Sequence, residues 1–236
     1  MTATVLITGA NRGLGLEFVS QYAQLGWQVI ATARDLGAAP DLHALANRHK
    51  NIELATLDVG DRKQIDALAN RLSGRSVDVL LNNAGWLGDR ELQALDTLDY
   101  TTFEEVLRIN TYAPLAMAHA FLPHVLASTQ KKIVVITSGL SSIANTSRFG
   151  NFYFYRISKA GVNMAMRTLQ AETRELGVKV GILAPGMVDT RLLRNSGYQG
   201  PGVITAPESV KAVIGHIAAL TQDAEMTLYT GERVPW

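Results

Sequence analysis

Thr4-Val5-Leu6-Ile7-Thr8-Gly9-Ala10-Asn11-Arg12-Gly13-Leu14-Gly15 settles the architecture of this chain. Residues 4–8 read as a short apolar strand, and an amphipathic helix is expected over about 14–25, with glycines between the two. That order is one βα unit. Glycines let the backbone turn sharply and come close to a bound group, while the free amides of a helix N-terminus stabilise an anion such as a pyrophosphate.

The same alternation runs to the end of the chain. Strands are expected at 27–34, 52–59, 77–82, 132–138 and 179–184, with a last short one near Leu228. Helices are expected at 41–49, 61–72, 102–109, 111–127, from Tyr155 to about Leu176, and 206–220, with Asn110 interrupting the two that flank it. The strands are continuous apolar runs, so both faces of their sheet must be covered. Right-handed crossovers then give an α/β fold, a doubly wound parallel sheet of about seven strands with helices on both faces. A single domain over 1–236 is expected, with long loops at 139–151 and 186–205, the second facing substrate.

Composition narrows the partners. The 236 residues carry 22 basic and 21 acidic side chains without a run of Lys or Arg, which gives no reason to expect a nucleic acid or an anionic membrane. With no cysteine there is neither a disulfide framework nor a thiolate metal site, and a reducing cytoplasm suits the chain. The start, Met1-Thr2-Ala3-Thr4, lacks the basic segment of a signal peptide, and no apolar run is long enough to span a bilayer. His43, His49, His119, His124 and His216 show no ligand spacing, so no metal is expected.

The chemistry is read from a second stretch. Lys132-Ile133-Val134-Val135-Ile136-Thr137-Ser138 is a buried strand ending in a hydroxyl, and ligands of open parallel sheets sit at strand ends. Downstream, Tyr155-Arg156-Ile157-Ser158-Lys159 opens a helical pattern, which puts the phenol and the ammonium on one face. A nearby cation stabilises a phenolate and lowers the phenol's pKa, so Tyr155 is expected to act as a general acid or base. Ser138 would polarise a substrate oxygen, and Lys159 would tune Tyr155 and reach a cofactor ribose.

With Asn110 and the T-G-x-x-x-G-x-G turn, these residues resemble the short-chain dehydrogenase/reductase family over nearly the whole chain. Ala31-Thr32-Ala33-Arg34-Asp35 and the ending Val234-Pro235-Trp236 are similar to its carbonyl-reductase-like, C-factor-like branch. The resemblance implies hydride transfer between a nicotinamide cofactor and a carbonyl or secondary alcohol, with Asn110, Ser138, Tyr155 and Lys159 as the catalytic set. Asn110 would hold a water between Lys159 and solvent. The family commonly places its serine about thirteen residues before the tyrosine, which selects Ser142, whereas the strand end selects Ser138; Ser138 is preferred.

Cofactor contacts implied by the resemblance are Gly9, Asn11, Arg12, Gly13, Leu14 and Gly15 at the turn, and Asp58 and Val59 near the adenine. Asn83, Ala84 and Gly85 would lie beside the ribose, and Pro185, Gly186, Val188 and Thr190 against the nicotinamide. NAD-preferring members carry an acidic residue where this chain has Ala33 and Arg34. Arg34 and Arg12 are therefore expected to hold a 2′-phosphate and favour NADP(H). Asp35 would either pair with Arg34 or cap the next segment. Arg148, Phe149, Phe152, Tyr153 and Phe154 crowd the approach to Tyr155, as pocket lining for an apolar carbonyl compound or as packing. Apolar residues on several faces of the helices after Asn110 and Tyr155 (Ala113, Leu115, Ala116, Met117, Ala160, Val162, Met164, Ala165) lead to the expectation of a homodimer or homotetramer. The alternative function is a C-factor-type signalling protein that binds nucleotide with incidental turnover.

Overall fold

The computed structural model describes residues 2–146 and 150–236. β1 (Thr4–Ile7) passes through the glycine turn into α1 (Gly13–Gln24), and β2 (Gln28–Ala33), α2 (Pro40–Arg48), β3 (Ile52–Thr56), α3 (Arg62–Arg71) and β4 (Val79–Asn82) follow. Next come α4 (Tyr100–Leu107), a π-helical turn (Arg108–Tyr112), α5 (Ala113–Leu126), β5 (Lys132–Ile136), α6 (Tyr153–Glu172) and β6 (Lys179–Ala184). β7 (Met187–Val188), α7 (Arg191–Asn195), β8 (Val203–Ile204), α8 (Ala206–Ala218) and β9 (Thr227–Leu228) close the chain.

A seven-stranded parallel sheet runs β3-β2-β1-β4-β5-β6-β9. Strand order reverses between β1 and β4, which opens a crevice at the carboxyl edge there. Successive strand residues feed opposite cores: Val5 and Ile7 pack with Phe18, Leu42 and Val213 of α1, α2 and α8, while Leu6 packs with Ile65, Met117 and Val162 of α3, α5 and α6. This accounts for the unbroken apolar runs. A strand covered on both sides has no solvent face to mark with polar residues.

Three local features differ from expectation. The break at Asn110 is one π-helical turn that keeps α4 and α5 in a continuous rod and buries Asn110 fully; such bulges add a residue without ending the helix. The strands expected to reach Val59 and Ser138 leave regular pairing at Thr56 and Ile136, so their last residues stand at the sheet edge. The 186–205 loop holds a two-stranded parallel ribbon, β7 with β8, and the short α7. Elements this brief leave no periodic signal.

Candidate active site

α6 carries Tyr155, Lys159, Asn163, Met166 and Gln170 on one inward face, at the spacing of successive turns. Tyr155 and Lys159 are both buried, 6% and 4% exposed. The Lys159 ammonium donates to Ile136 O at 2.9 Å and lies 5.8 Å from the centre of the Tyr155 ring. The Ser138 hydroxyl stands near enough to the Tyr155 phenol to favour its ionised form. Serine, tyrosine and lysine thus meet at the carboxyl end of β5.

Burial rather than the lysine sets the ionisation of the pair. It pushes the phenol up to about 12, and the nearby Ser138 hydroxyl opposes the rise. The same burial brings Lys159 down to about 8. The sequence leads one to expect a phenol lowered by its neighbour; in the folded chain desolvation of both groups outweighs that effect. The ammonium stays charged at neutral pH, and the phenol stays protonated.

The two candidate serines are placed differently. Ser138 is extended and faces Tyr155, whereas the Ser142 hydroxyl donates to Pro235 O and ties the loop to the C-terminus. Ala144 N adds a bond to Trp236 O at 2.8 Å. Behind Ser138 runs a buried chain absent from the sequence reading: Thr137 Oγ1 donates to Asn163 Oδ1 (2.7 Å), Asn163 Nδ2 to Ser141 Oγ (2.8 Å), and Ser141 Oγ to Ser138 O (2.6 Å). Those partners fix the backbone that carries the serine. No local pattern predicts this, because the residues meet only when α6 lies over β5.

Asn110 is held from all sides. Its amide donates to Trp86 O and Ser158 Oγ, and its oxygen accepts from Trp86 N. A Cβ on Gly85 would stand 3.4 Å from Lys159 Nζ and 3.5 Å from Asn110 Oδ1. The Gly85–Trp86 backbone just beyond β4 therefore lies against both groups. Gln93, another residue without a sequence signal, is fully buried and accepts from the Tyr155 backbone N–H at 3.1 Å.

Around the switch point some of the predicted cofactor residues meet: Gly9, Gly13, Gly15, Asn83, Ala84 and Thr190. A Cβ on Gly15 would come 2.0 Å from Gly9 O, and one on Gly9 2.9 Å from Ala84 Cα, so β1's turn and β4's end are in backbone contact. Asn83 Nδ2 donates to Thr8 O and Gly9 O, which makes that side chain a brace for the turn rather than an exposed group. Thr190 arrives from the far end of the chain, its methyl 3.5 Å from where a Gly13 Cβ would lie, and its hydroxyl caps α7. Gly186 (φ 85°) turns beneath the Tyr229 ring, and Ser209 Oγ donates to Pro185 O. Asp58 accepts from Gly60 N, and Val59 packs on the core.

These residues fit a phosphorylated dinucleotide. No side chain caps the N-terminus of α1, which leaves its first amides to a ligand. Arg12 and Arg34 are exposed and, among the described residues, neither forms an ion pair. Asp35 caps its own turn by accepting from Ala38 N instead of pairing with Arg34. Among the described residues no group of His, Cys, Asp or Glu is disposed to hold a metal ion, and no helix is long and apolar enough to cross a membrane.

Near Tyr155, Leu87 and Phe152 form an apolar cluster with the phenol ring, while Phe154 stacks on Phe103 of α4. Tyr153 turns outward. Arg148 and Phe149 lie outside the described residues.

A crevice so furnished suits a dehydrogenase or reductase working with a nicotinamide nucleotide, and comparison with known proteins gives the same class. The short chain dehydrogenase family model matches residues 3–199. The chain is similar to 1-hydroxy-2-glutathionyl-2-methyl-3-butene dehydrogenase of Rhodococcus sp. (strain AD45), 34% identical over 94% of this chain and 93% of that protein. It is similar to C-signal of Myxococcus xanthus, 34% identical over 72% of this chain and 99% of that one. Its fold matches the NADPH-bound carbonyl reductase from chicken fatty liver with a TM-score of 0.91, at 32% identity over 100% of this chain and 99% of the other. The protein belongs to the short-chain dehydrogenase/reductase family, as a NAD(P)-dependent oxidoreductase with carbonyl-reductase-like and C-factor-like relatives.

Proposed function

We propose that the protein is an NADP(H)-dependent carbonyl reductase, or a secondary alcohol dehydrogenase in the opposite direction, with Tyr155 as general acid/base. The observation that carries this reading is the meeting of Ser138, the buried Tyr155 phenol and the buried Lys159 ammonium at the carboxyl end of β5. A bound NADPH supplies the hydride. Ser138 holds the substrate oxygen, and Tyr155, protonated at neutral pH, gives that oxygen its proton. Lys159 keeps a positive charge beside the phenol as the proton leaves, and Asn110 holds the 85–86 backbone against the ammonium.

The cofactor lies, in this reading, along Gly9 to Gly15, with its 2′-phosphate between Arg12 and Arg34. Asp58 and Val59 border the adenine, 83–85 the ribose, and Pro185, Gly186, Val188 and Thr190 the nicotinamide. Apolar Leu87 and Phe152 beside the phenol favour an apolar carbonyl compound over an anionic one. NADPH oxidation against a panel of aldehydes and ketones tests this, with Tyr155→Phe as control. Turnover lost in the control supports the reading, and turnover on none of the panel shifts weight to the signalling alternative, which the similarity to C-signal favours.

The single domain is further proposed to form a homodimer or homotetramer. Ala113, Ala116, Met117 and Val162 serve the chain's own core, but Leu115 (45% exposed), Ile157 (46%) and Met164 (69%) present apolar surface on α5 and α6. Light scattering at micromolar concentration should give at least twice 25.6 kDa; a monomer refutes the assembly.

A further inference from the structure

We propose that Gln93 is a positioning residue for Tyr155: its amide caps the Tyr155 helix from the β4–α4 connection and so sets where the phenol stands. The proposal rests on the reading of Tyr155 as the proton donor.

Tyr155 is the third residue of α6, where a backbone N–H has no partner within the helix. Such donors are usually met by the side chain just before the helix. Here that residue is Phe152, which can accept nothing and sits in the left-handed region at φ 53° after Asn151 at φ 96°. Two consecutive non-glycine residues in that region are costly, and the surrounding structure must hold them there. The missing cap comes from Gln93, 62 residues away and fully buried, whose Oε1 accepts from Tyr155 N at 3.1 Å.

The remaining capacity of the amide is used as well. Nε2 donates to Leu87 O at 2.8 Å and to Asp89 O at 3.0 Å. The opposite amide orientation would set a carbonyl against two carbonyls, so the hydrogen-bond pattern permits only this one. Gly88 is wrapped around the amide: at φ 78°, a Cβ there would lie 2.9 Å from Gln93 Nε2 and 2.8 Å from Val106. Leu87, bonded through its carbonyl, packs its side chain on the Tyr155 ring with Phe152. Asn110 grips the neighbouring Trp86 from the other side. One buried amide therefore fixes both the backbone of the tyrosine and the wall against its ring.

The test compares Gln93→Met, Gln93→Asn and Gln93→Glu with wild type and Tyr155→Phe, measuring kcat, KM for the carbonyl substrate, the NADPH Kd and the pH profile. Methionine removes all three bonds, and asparagine is one methylene too short to reach the Tyr155 N–H. In both, kcat should fall on the order of 100-fold, the cost of misplacing a reacting group by about 1 Å. NADPH affinity should be unchanged, and the rise of alcohol oxidation with pH, which requires the phenol to give up its proton, should move to higher pH as the phenol moves away from Ser138. A glutamic acid buried against two carbonyls stays protonated and keeps the acceptor, so Gln93→Glu should retain most of kcat. Wild-type kcat and pH limb in the asparagine variant, or equal losses in glutamate and asparagine, overturn the proposal, and the asparagine result decides alone if the methionine variant does not fold. Turnover surviving in Tyr155→Phe instead overturns the functional reading, and this inference with it.

Discussion

Lys159→Met should abolish turnover and yet leave the protein as stable as wild type at pH 7, or more so. Burial moves the ammonium from 10.5 to about 8. At 1.36 kcal/mol per unit, holding the charge inside costs on the order of 3 kcal/mol at neutral pH. Methionine removes that cost but leaves Ile136 O without its 2.9 Å donor, a loss of about 1–3 kcal/mol. The net lies between zero and about 2 kcal/mol in the variant's favour, level or a few degrees in Tm for a chain of this size. Between about pH 8 and 10.5 the unfolded chain binds the Lys159 proton and the folded chain does not, so wild-type stability rises with pH in that window. From pH 8 to 9.5 the gain is about 2 kcal/mol. Tyr155 acts in the opposite sense: its folded value is raised to about 12, so the stability it contributes is present below 10 and lost above it, outside this interval. Urea unfolding of wild type and variant at pH 7, 8 and 9.5 measures both quantities. A variant melting about 5 °C or more below wild type at pH 7, or gaining the same alkaline stability, refutes the reasoning.

Ser138→Ala should lower kcat by about 10² to 10³-fold, because it removes a donor aimed at the reacting oxygen. Ser142→Ala should leave turnover near wild type and cost about 1 kcal/mol in unfolding, as its hydroxyl ties the loop to Pro235 O and accepts from Asn145 N; the reverse ranking in steady-state kinetics would reassign the serine. Arg34→Ala should raise the NADPH Kd about 10- to 100-fold by fluorescence titration, the worth of a charge-assisted contact to a phosphate, with NADH affinity unchanged. A wild-type protein that prefers NADH would sink the phosphate assignment.

Much of this protein is legible in its sequence because the information is local. The glycine turn declares itself by spacing, the strands by unbroken apolar runs, and the Tyr155–Lys159 pair by the pitch of a helix. The position of Ser138 was also within reach, since a residue directly after a buried strand stands at the sheet edge. Less legible were short elements such as β7, β8 and α7, each too brief for a period to show. Asn110 looked like a helix break because no sequence signal separates a loop from a π-helical turn.

Local pattern thus determined the parallel sheet, the crevice at its carboxyl edge and the types of group placed there. Tertiary structure alone decided the ionisation of those groups, since desolvation depends on what covers a side chain: Tyr155 was raised and Lys159 lowered by the packing around them. It also decided the supports. Gln93 and Asn163 meet Tyr155 and Ser141 across 62 and 22 residues, and a buried amide finds its partner through the fold, where no spacing in the chain can announce it.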